Sequence, residues 1–527
     1  MDYTGLLISV ILCSSLCECG NILVVPVDFG YNSRMRNVIN IGRVLLNAGH
    51  NVTILLSDKI EQDAMFKLGE PNNMDKTFNV MHFKKPSVDP SKDMNSLNQE
   101  FINSMMRFGG VDVLDSVQLI FDEMMSPPLE DKTVWKKIAR AKFDLIVADE
   151  NMYVSRVIAA SFNIPYILYE NWGPMTFSAN LVQRFNLAYI PAFVQPYSDT
   201  LSFWEIVSNV WELYKLQIVN EKTYSRCIMI CRKLGYEDAC DNIRDAHKTV
   251  SLVFMNRNDA LHYPAPFMPH VISTEGFFLE NPKPLSQHYA DIIEKAGKNG
   301  IIVVSFGSLF RRLWPELRTI FAKAFAAMPQ TVIWSYEGPT PEGIGNNTIV
   351  SKWIPQESLL NHPATKLFVT QCGVSSSFQA LHYALPVVGV PFFWDQPFYC
   401  QKLSERVKSG QTVSLKEITS EKLRRAMIEV LENKKYKENA DRAAAIYHDQ
   451  PIPPKDKLVY WAEYVIRHKG APHLRSQGAN ELNFFQYYLL DIIGLVCCVC
   501  IMIGTVMFII AKKAMCILFS FKKDKSD

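Results

Sequence analysis

The stretch that decides the fold is residues 367–391, which read LFVTQCGVSSSFQALHYALPVVGVP. Its first four residues, Leu367 to Thr370, form an apolar run that is typical of a buried parallel strand. The residues from Ser375 to Tyr383 predict a helix, and those from Pro386 to Pro391 predict the next strand. A strand, a helix and a strand in this order form the unit from which parallel α/β sheets are built.

The same alternation extends in both directions from this stretch. In the second half it predicts a helix at Pro315–Met328 and strands at Gly300–Ser305, Thr331–Tyr336 and Thr348–Val350. In the first half it predicts helices at Met35–Ala48 and Val154–Phe162 and strands at Asn21–Val27, Asn51–Leu56, Asp144–Ala148 and Ile164–Tyr169. The fold class is therefore α/β with two doubly wound parallel sheets. Because such sheets bind ligands beyond the carboxyl ends of their strands, we expect one ligand in each half.

Two prolines in Asn281-Pro282-Lys283-Pro284 predict an extended linker between the halves. Residues 85–140 and 175–250 predict helices and long loops that cover the mouth of the first sheet. The domain boundaries that we predict are a first domain at 20–280, a linker at 281–299, a second domain at 300–450, and closing helices with a juxtamembrane segment at 451–491.

The composition limits the classes of function. Of 527 residues, 48% are hydrophobic and 20% are charged, which is a globular balance and argues against disorder. The net charge of +2 provides no basic field, so a nucleic acid is not an expected partner.

The N-terminal residues predict a secretory signal peptide at 1–19. Residues 6–12 read LLISVIL and are followed by small residues up to Cys19 and Gly20. A buried N-terminal strand is the alternative interpretation.

A second apolar segment, residues 492–511, predicts a single transmembrane helix because it is uncharged over the length that a bilayer requires. The tail at 512–527 is rich in lysine, and the positive-inside rule therefore places it in the cytosol. Lys523 and Lys525 match a dilysine retrieval signal, and a basic anchor beside anionic lipid is the alternative. We therefore predict an endoplasmic reticulum membrane protein with a luminal body.

The body between these two segments contains five cysteines: Cys227, Cys231, Cys240, Cys372 and Cys400. This pattern is typical of neither a disulfide scaffold nor a zinc site, and we predict no metal. Because five is an odd number, at least one of them is expected to be free or paired between chains. Two sequons, at Asn51 and Asn346, become candidate glycosylation sites in a lumen, although such triplets also arise by chance.

A longer segment that includes the opening stretch resembles a known family. It contains Trp353-Ile354-Pro355-Gln356, His362-Pro363, Gly373, Gly389-Val390-Pro391 and Asp395-Gln396-Pro397. In this order and spacing it is similar to the donor-binding signature of the UDP-glycosyltransferases, of the animal glucuronosyltransferase type. The resemblance implies the GT-B fold, which has two facing Rossmann-like domains. It also implies the inverting transfer of glucose or glucuronic acid from a UDP-sugar, which is the co-substrate, to the hydroxyl of a small lipophilic acceptor without a separate cofactor. Membrane lipid and homo- or hetero-oligomers with related transferases are the further partners that it implies.

The donor site can be placed on the sequence. A helix that begins after Gly373 offers its N-terminal amides to a diphosphate, and Ser375 and Ser376 lie in its first turn, where serines also cap helices. The resemblance implies further donor-binding roles: Trp353 and Gln356 at the uracil, Gln379 at the ribose, Ser308 and Gln371 at the diphosphate, and Asp395 and Gln396 at the sugar. For Trp353, a place in the core is the alternative.

The sequence differs from the family at the positions that the resemblance assigns to catalysis. The family uses a histidine base that an aspartate orients, and the resemblance places these at Tyr31 and Asp149. A phenol, with a pKa of about 10, is poorly suited to act as a base at neutral pH, and Asp149 or Asp28 are the alternative bases. Gln371, Cys372 and Gln379 also replace a histidine, a glycine and a glutamate. Two hypotheses follow: an active transferase with an altered base, or a catalytically degenerate member that binds a lipophile or nucleotide or partners active transferases.

Overall fold

The computed structural model of the chain describes residues 19–27, 33–58, 60, 77–84, 126–173, 185–192, 194–279, 282–307 and 310–523. The residues form two compact units, one ending at Leu474 and one beginning at Arg475. The predicted signal peptide lies almost wholly outside the described residues, and so do Asp28, Tyr31, Ser308 and Lys525.

The first half of the larger unit contains a parallel sheet of seven strands within the described residues, in the order β3-β2-β1-β4-β5-β6-β7. The strands are β1 (Asn21–Val25), β2 (Asn51–Ser57), β3 (Asn79–Phe83), β4 (Leu145–Asp149), β5 (Tyr166–Glu170), β6 (Leu252–Met255) and β7 (Val271–Ser273). Burial on both faces explains why β1, β4 and β5 are apolar runs rather than alternating ones. The chain order reverses between β1 and β4, so the carboxyl ends of these strands form the topological switch point.

Helices of this half cover the sheet and confirm the predicted alternation. They are α1 (Ser33–Asn47), α2 (Lys132–Ala141), α3 (Val154–Phe162), α4 (Phe203–Lys233), α5 (Glu237–Cys240) and α6 (Ala246–Thr249). Helix α1 buries Met35, Val38 and Ile39, whose spacing of three and four residues places them on one face.

The second half contains a parallel sheet of six strands, as far as the structure describes it, in the order β10-β9-β8-β11-β12-β13. They are β8 (Ile301–Ser305), β9 (Thr331–Ser335), β10 (Thr348–Ser351), β11 (Thr365–Thr370), β12 (Val387–Gly389) and β13 (Gly410–Thr412). The helices of this half are α7 (Gln287–Ala296), α8 (Pro315–Ala326), α9 (Gln356–Leu360), α10 (Val374–His382), α11 (Gln396–Gln401), α12 (Ser420–Glu432), α13 (Lys434–His448) and α14 (Pro454–Arg467). One π-helical turn, Lys402–Arg406, continues α11.

Helix α7 corrects the prediction of a linker over 281–299. Only the stretch from 282 to 286 is extended, and α7 then buries Tyr289, Ile292 and Ile293. These three residues recur at a spacing of three to four positions, which is the pattern of an amphipathic helix. Their burial against the rest of the chain outweighs the proline signal that precedes them.

The hydrophobic core joins the two halves. One cluster of buried side chains includes Val24 of β1 and Phe368 of β11, and a second cluster packs α8 and α12 against the other face of the second sheet. The side chain of His262, which follows β6, packs against Tyr399 of α11, with 3.1 Å between Nε2 and Oη. Burial lowers the pKa of His262 well below its ordinary value, so the imidazole is neutral in this contact.

The smaller unit contains three helices in its described part: α15 (Gln477–Glu481), α16 (Phe484–Tyr487) and α17 (Leu490–Lys523). The segment Leu490–Cys516 of α17 is long and apolar enough to cross a membrane, and it is fully exposed. It contains the predicted span and extends it by a few residues at both ends.

Two disulfides, Cys231–Cys240 and Cys372–Cys400, use four of the five cysteines of the body. The fifth, Cys227, is buried on α4. Both sequon asparagines are exposed and lie at the amino ends of strands, Asn51 in β2 and Asn346 just before β10. The amide of Asn51 donates to Asn21 and accepts from Asn79, so three strand starts are joined by one row of amides.

Candidate functional site

The carboxyl ends of the two sheets meet at a pair of tryptophans. Trp172 follows β5 and Trp394 follows β12, and their ring centroids lie 5.1 Å apart. Tyr399 of α11 donates a hydrogen bond of 3.3 Å to the carbonyl of Trp172. A second contact joins Arg36 of α1 to Glu357 of α9 at 3.4 Å. The candidate site therefore lies where both sheets point their ligand-binding edges.

Helix α10 begins without a side-chain cap. Its N-cap residue is Gly373, which has no side chain to accept from the first amides, so the serines lie inside the first turn and do not cap the helix. This corrects the capping role predicted for Ser375 and Ser376. The Oγ atom of Ser375 is buried and has no hydrogen-bond partner among the described residues. A helix start without a side-chain cap, together with an unused hydroxyl, forms a site that suits an anion.

The carboxyl group of Asp395 lies beside this helix start. The backbone N–H of Val374, the first residue of α10, is close enough to lower the pKa of this carboxyl group. Burial raises the pKa of Asp395 to about 7, against the opposing effects of the backbone N–H groups and of Arg34. Its neighbour Gln396 is also buried and accepts from the backbone N–H of Phe392 at 2.8 Å. The amide nitrogen of Gln396 is not needed for that contact.

The predicted uracil and ribose residues lie next to each other. The amide of Gln356 donates to Oε1 of Gln379 at 2.6 Å, and the amide of Gln379 donates to Glu357 at 3.2 Å. The side chain of Trp353 is 55% exposed. This exposure argues against the alternative that Trp353 belongs to the core, because a tryptophan packed for stability is normally covered.

Gln371 lies between two glycine turns. Its Oε1 accepts from Thr370 Oγ1 at 2.9 Å, and its Nε2 occupies the space beside Gly307 and Gly373 where a Cβ atom would otherwise stand. A larger residue at Gly307 would displace the amide, since the added Cβ would lie 2.4 Å from Nε2. Gln371 therefore points a neutral donor towards the start of α10.

Cys372 occupies a position that favours glycine, with φ at +61°, and its disulfide partner Cys400 lies on α11. The bond joins the turn before α10 to the helix that begins after Asp395. Gly389 makes room for it, because a Cβ at this position would lie within 2.5 Å of both sulfur atoms. Two segments that contain predicted donor-binding residues are thus covalently connected.

Asp149, at the end of β4, is fully buried and is bound by Arg34 of α1. Arg34 donates from Nε at 2.5 Å and from Nη2 at 2.7 Å, and the backbone N–H of Asn151 donates at 2.9 Å. Nη2 of Arg34 also contacts Glu150 at 2.9 Å. Three donors therefore bind the carboxylate of Asp149.

The charge state of this cluster follows from its surroundings. Burial alone would lower the pKa of Arg34, but the carboxylates of Asp149 and Glu150 reverse this and raise it. Burial raises the pKa of Asp149, and Arg34 opposes that shift. The guanidinium carbon of Arg34 lies 4.1 Å from the ring centroid of Trp172, a distance typical of a cation–π contact. Arg34 thus connects the switch point of the first sheet to the tryptophan pair.

Arg34, Trp172 and Trp394 were not predicted as site residues. Arg34 directly precedes Met35, so its place in the first turn of α1 was visible in the sequence. The Asn171-Trp172-Gly173 sequence after a buried strand is a signal for Trp172.

Comparison with known proteins decides the family. The family model described as "UDP-glucoronosyl and UDP-glucosyl transferase" matches residues 20–526. The chain belongs to this family. Human UDP-glucuronosyltransferase 2B7 is 31% identical over 99% of this chain and 98% of its own length. Mouse UDP-glucuronosyltransferase 1A7 is 30% identical over 96% of this chain and 93% of its own length.

Solved glycosyltransferase structures share the fold of this UDP-glycosyltransferase family member. Os79 of O. sativa, in complex with U2F and a trichothecene, superposes with a TM-score of 0.56 at 13% identity, over 84% of this chain and all of its own. The glycosyltransferase of kitacinnamycin gives a TM-score of 0.54 at 18% identity, over 85% of this chain and 98% of its own. The predicted GT-B fold, with two parallel sheets, is confirmed.

Proposed function

We propose that the chain binds a UDP-sugar at the carboxyl end of its second sheet and transfers glucose or glucuronic acid to the hydroxyl of a small lipophilic acceptor. The observation that carries this proposal is the start of α10, where the N-cap Gly373 offers no capping side chain and Ser375 Oγ has no partner within the described residues. A diphosphate supplies the anionic oxygens that such a helix start favours.

Each part of the donor has a matching set of residues. Trp353 offers an exposed ring for stacking against uracil, and the Gln356–Gln379 pair offers amide groups to uracil and ribose. Asp395 and Gln396 offer an acceptor and a donor to the sugar hydroxyls. Because the backbone N–H of Val374 lies close enough to affect the pKa of Asp395, adjoining groups would bind the sugar and the diphosphate.

The transfer that we propose inverts the anomeric carbon. The acceptor oxygen forms a bond to that carbon while the bond to the UDP oxygen breaks, and UDP leaves with the electron pair. The start of α10 stabilises the negative charge that develops on the diphosphate. The proton of the acceptor hydroxyl passes to a base. Asp149 is a poor candidate because three donors already bind its carboxylate, and Asp28 is the alternative.

The occupied Asp149 favours a second candidate function. In this alternative the chain retains the donor site but transfers sugar slowly, and it acts by binding a lipophile or nucleotide or by pairing with active transferases. The favouring observation is that Arg34, a cation that stays protonated at neutral pH, lies where Asp149 would hold a basic histidine.

One experiment separates these functions. Calorimetry on the full-length protein in nanodiscs would measure the affinity for UDP, UDP-glucose and UDP-glucuronic acid, with Ser375→Ala and Asp395→Asn as site variants. Turnover of the same sugars would be measured across phenols and steroids. Binding with turnover supports the transferase, binding without turnover supports the second candidate, and the absence of binding to all three nucleotides overturns both.

For localisation, we propose a single-pass endoplasmic reticulum membrane protein whose body lies in the lumen and whose tail is cytosolic. The apolar helix segment Leu490–Cys516 supports the anchor, and the Cys231–Cys240 and Cys372–Cys400 disulfides support an oxidising compartment for the body. Protease treatment of sealed microsomes would test this orientation. Only the short tail should be cut, and digestion of the body without detergent would contradict the proposal.

A further inference from the structure

The loop at 256–263, which follows β6, packs against the π-helical turn that continues α11. Arg257 of the loop forms an ion pair with Asp259, with 2.5 Å between Nη2 and Oδ1, and also donates to the carbonyl of Tyr263 at 3.5 Å. Arg406 of the turn donates to the carbonyl of Asp259 at 2.8 Å, and its guanidinium carbon lies 5.0 Å from the ring centroid of Tyr263. Both arginines contact the same two residues, so their side chains are neighbours.

Lys402 lies beside these arginines. It precedes Arg406 by four residues, about one helical turn, and therefore lies on the same face. Lys402 is buried, with 1% of the residue exposed, and its Nζ atom lies 3.5 Å from the ring centroid of Phe398. This Nζ atom has no hydrogen-bond partner among the residues that the structure describes. We call Arg257, Lys402 and Arg406 the cation cluster.

The cation cluster contains buried donors that lack acceptors. The Nε atoms of Arg257 and Arg406 are also buried and have no hydrogen-bond partner in the described part of the chain. The carboxylate that pairs with Arg257 belongs to Asp259, whose side chain is 78% exposed, so water screens its charge. Buried polar groups are normally hydrogen-bonded, and buried lysines are normally paired. Three buried donor nitrogens without acceptors therefore indicate a binding site for an acceptor.

The charges of the cation cluster repel one another. Burial, followed by the charges of Arg257 and Arg406, lowers the pKa of Lys402 well below its ordinary value, and Asp395 opposes this shift. Burial also lowers the pKa of Arg257, and the charge of Arg406 acts in the same direction. A negative charge placed among the three side chains would offset this repulsion and favour the ammonium form of Lys402. A water molecule carries no net charge and could not do so.

The burial of the three nitrogens limits the size and charge of the ligand. A ligand between them must be small and must lose most of its hydration. Because the desolvation cost of an ion rises with its charge, a halide fits this setting better than sulfate does. We propose that the cation cluster binds a small monovalent inorganic anion of the chloride type, where the loop after β6 meets the π-helical turn. This site is distinct from the start of α10, and the proposal does not depend on sugar transfer.

Thermal unfolding of the full-length protein in nanodiscs tests this proposal. Sodium chloride would be replaced stepwise by sodium gluconate at constant ionic strength, because gluconate is too large for an enclosed site. Lys402→Met removes the ammonium group but retains an unbranched apolar side chain against Phe398. The matched control is Lys435→Met on the exposed surface of α13.

We expect the melting temperature of the parent protein to rise by several degrees with chloride and then to saturate, since an anion that binds the folded state stabilises it. Lys435→Met should retain this dependence, and Lys402→Met should lose it. A parent protein whose melting temperature is the same in both salts would overturn the proposal. An unchanged chloride dependence in Lys402→Met would overturn it as well, because the anion would then bind elsewhere.

A second variant and a direct measurement keep the test decisive if Lys402→Met does not fold. Arg406→Gln changes a residue at the partly exposed side of the cation cluster, and it should raise the chloride concentration at half-saturation several-fold. Chloride-35 NMR on the parent protein should show line broadening that bromide reverses and that Arg406→Gln weakens. Broadening of equal size in the parent protein and Arg406→Gln would contradict the proposed site.

Discussion

Arg34 donates two hydrogen bonds to the carboxylate of Asp149, from Nε to Oδ2 at 2.5 Å and from Nη2 to Oδ1 at 2.7 Å. Both residues lie at the topological switch point of the first sheet. The resemblance implied that Asp149 orients the family base and that Tyr31 stands in the place of that base. Within the described residues, the side chain that binds Asp149 is that of Arg34, three positions further along the chain. Arginine cannot accept a proton at neutral pH, so Arg34 itself supplies no base.

Replacing Arg34 with histidine should create a base beside Asp149. We expect Arg34→His to raise turnover of phenolic acceptors by about 10²-fold or more, which is the range of general-base catalysis. The imidazole would be oriented by the carboxylate that Arg34 now occupies. Initial rates with UDP-glucose and UDP-glucuronic acid at saturating acceptor measure the effect.

Two controls accompany that variant. Tyr31→His should leave turnover unchanged if Arg34 marks the base position, and a gain at Tyr31 alone would reverse the assignment. Arg34→His with Asp149→Asn should lose the gain. Removing Arg34 leaves the carboxylate of Glu150 without one of its partners. The double variant Arg34→His with Glu150→Gln removes that negative charge together with the positive charge of Arg34.

The affinity for the sugar part of the donor should depend on pH. The pKa of Asp395 is about 7, so its carboxylate is mostly protonated at pH 5.5 and mostly ionised at pH 8.5. An ionised carboxylate accepts hydrogen bonds from sugar hydroxyls better than a protonated one. We expect the affinity for UDP-glucose to rise across this interval while the affinity for UDP rises less. Calorimetry would measure both, and Asp395→Asn should remove the difference in slope.

Charge substitutions at Gln379 and Glu357, which are hydrogen-bonded to each other, should have non-additive effects on stability and on UDP affinity. Gln379→Glu restores the residue type that the resemblance implied, but it places a second carboxylate within hydrogen-bond reach of Glu357. Like charges at that distance should weaken UDP binding and lower stability by roughly 1–2 kcal/mol. Adding Glu357→Gln should recover both quantities. Thermal unfolding and UDP calorimetry on the single and double variants would measure the coupling, and simple additivity would contradict it.

The Cys372–Cys400 bond should support donor binding as well as stability. Cys400→Ala should lower the free energy of unfolding by about 2–4 kcal/mol and weaken the affinity for UDP, since the turn before α10 loses its connection to α11. Cys372→Gly with Cys400→Ala should recover about 1 kcal/mol of that stability, because glycine adopts φ of +61° without a Cβ penalty.

The other disulfide provides the control. Cys231→Ala with Cys240→Ala should lower the melting temperature without changing the affinity for UDP, because that bond closes a turn after α4. An equal loss of UDP affinity in both pairs would show that the effect is general destabilisation.

Apolar runs were sufficient to predict the strands. Strands buried on both faces have no alternative to continuous Val, Ile and Leu, so β1, β4 and β8 were placed within about one or two residues of their observed ends. The fixed spacing around Trp353 and Asp395 similarly led to predicted donor-binding residues, and the structure brings those that it describes to one edge of the second sheet.

Three features could not be predicted from local sequence patterns. The length of the loop between β1 and α1 does not determine which residue at the start of α1 reaches Asp149, so Arg34 was missed. The pairing of Cys372 with Cys400 cannot be deduced from spacing, because any of several partners is compatible with the sequence. The first half of helix α4 buries Asn209 and Glu212 and exposes Trp204 and Trp211, so a periodicity argument would misassign its buried face there.

The two sequons stand at the amino ends of β2 and β10, at the opposite sheet edges from the tryptophan pair. A carbohydrate on Asn51 or Asn346 would therefore project away from the site rather than over its entrance. Enzymatic trimming of such sugars should leave nucleotide recognition intact, whereas it would change how the molecule migrates and how folding chaperones that read glycans engage it. The glycans and the entrance of the candidate site would thus lie at opposite ends of the strands.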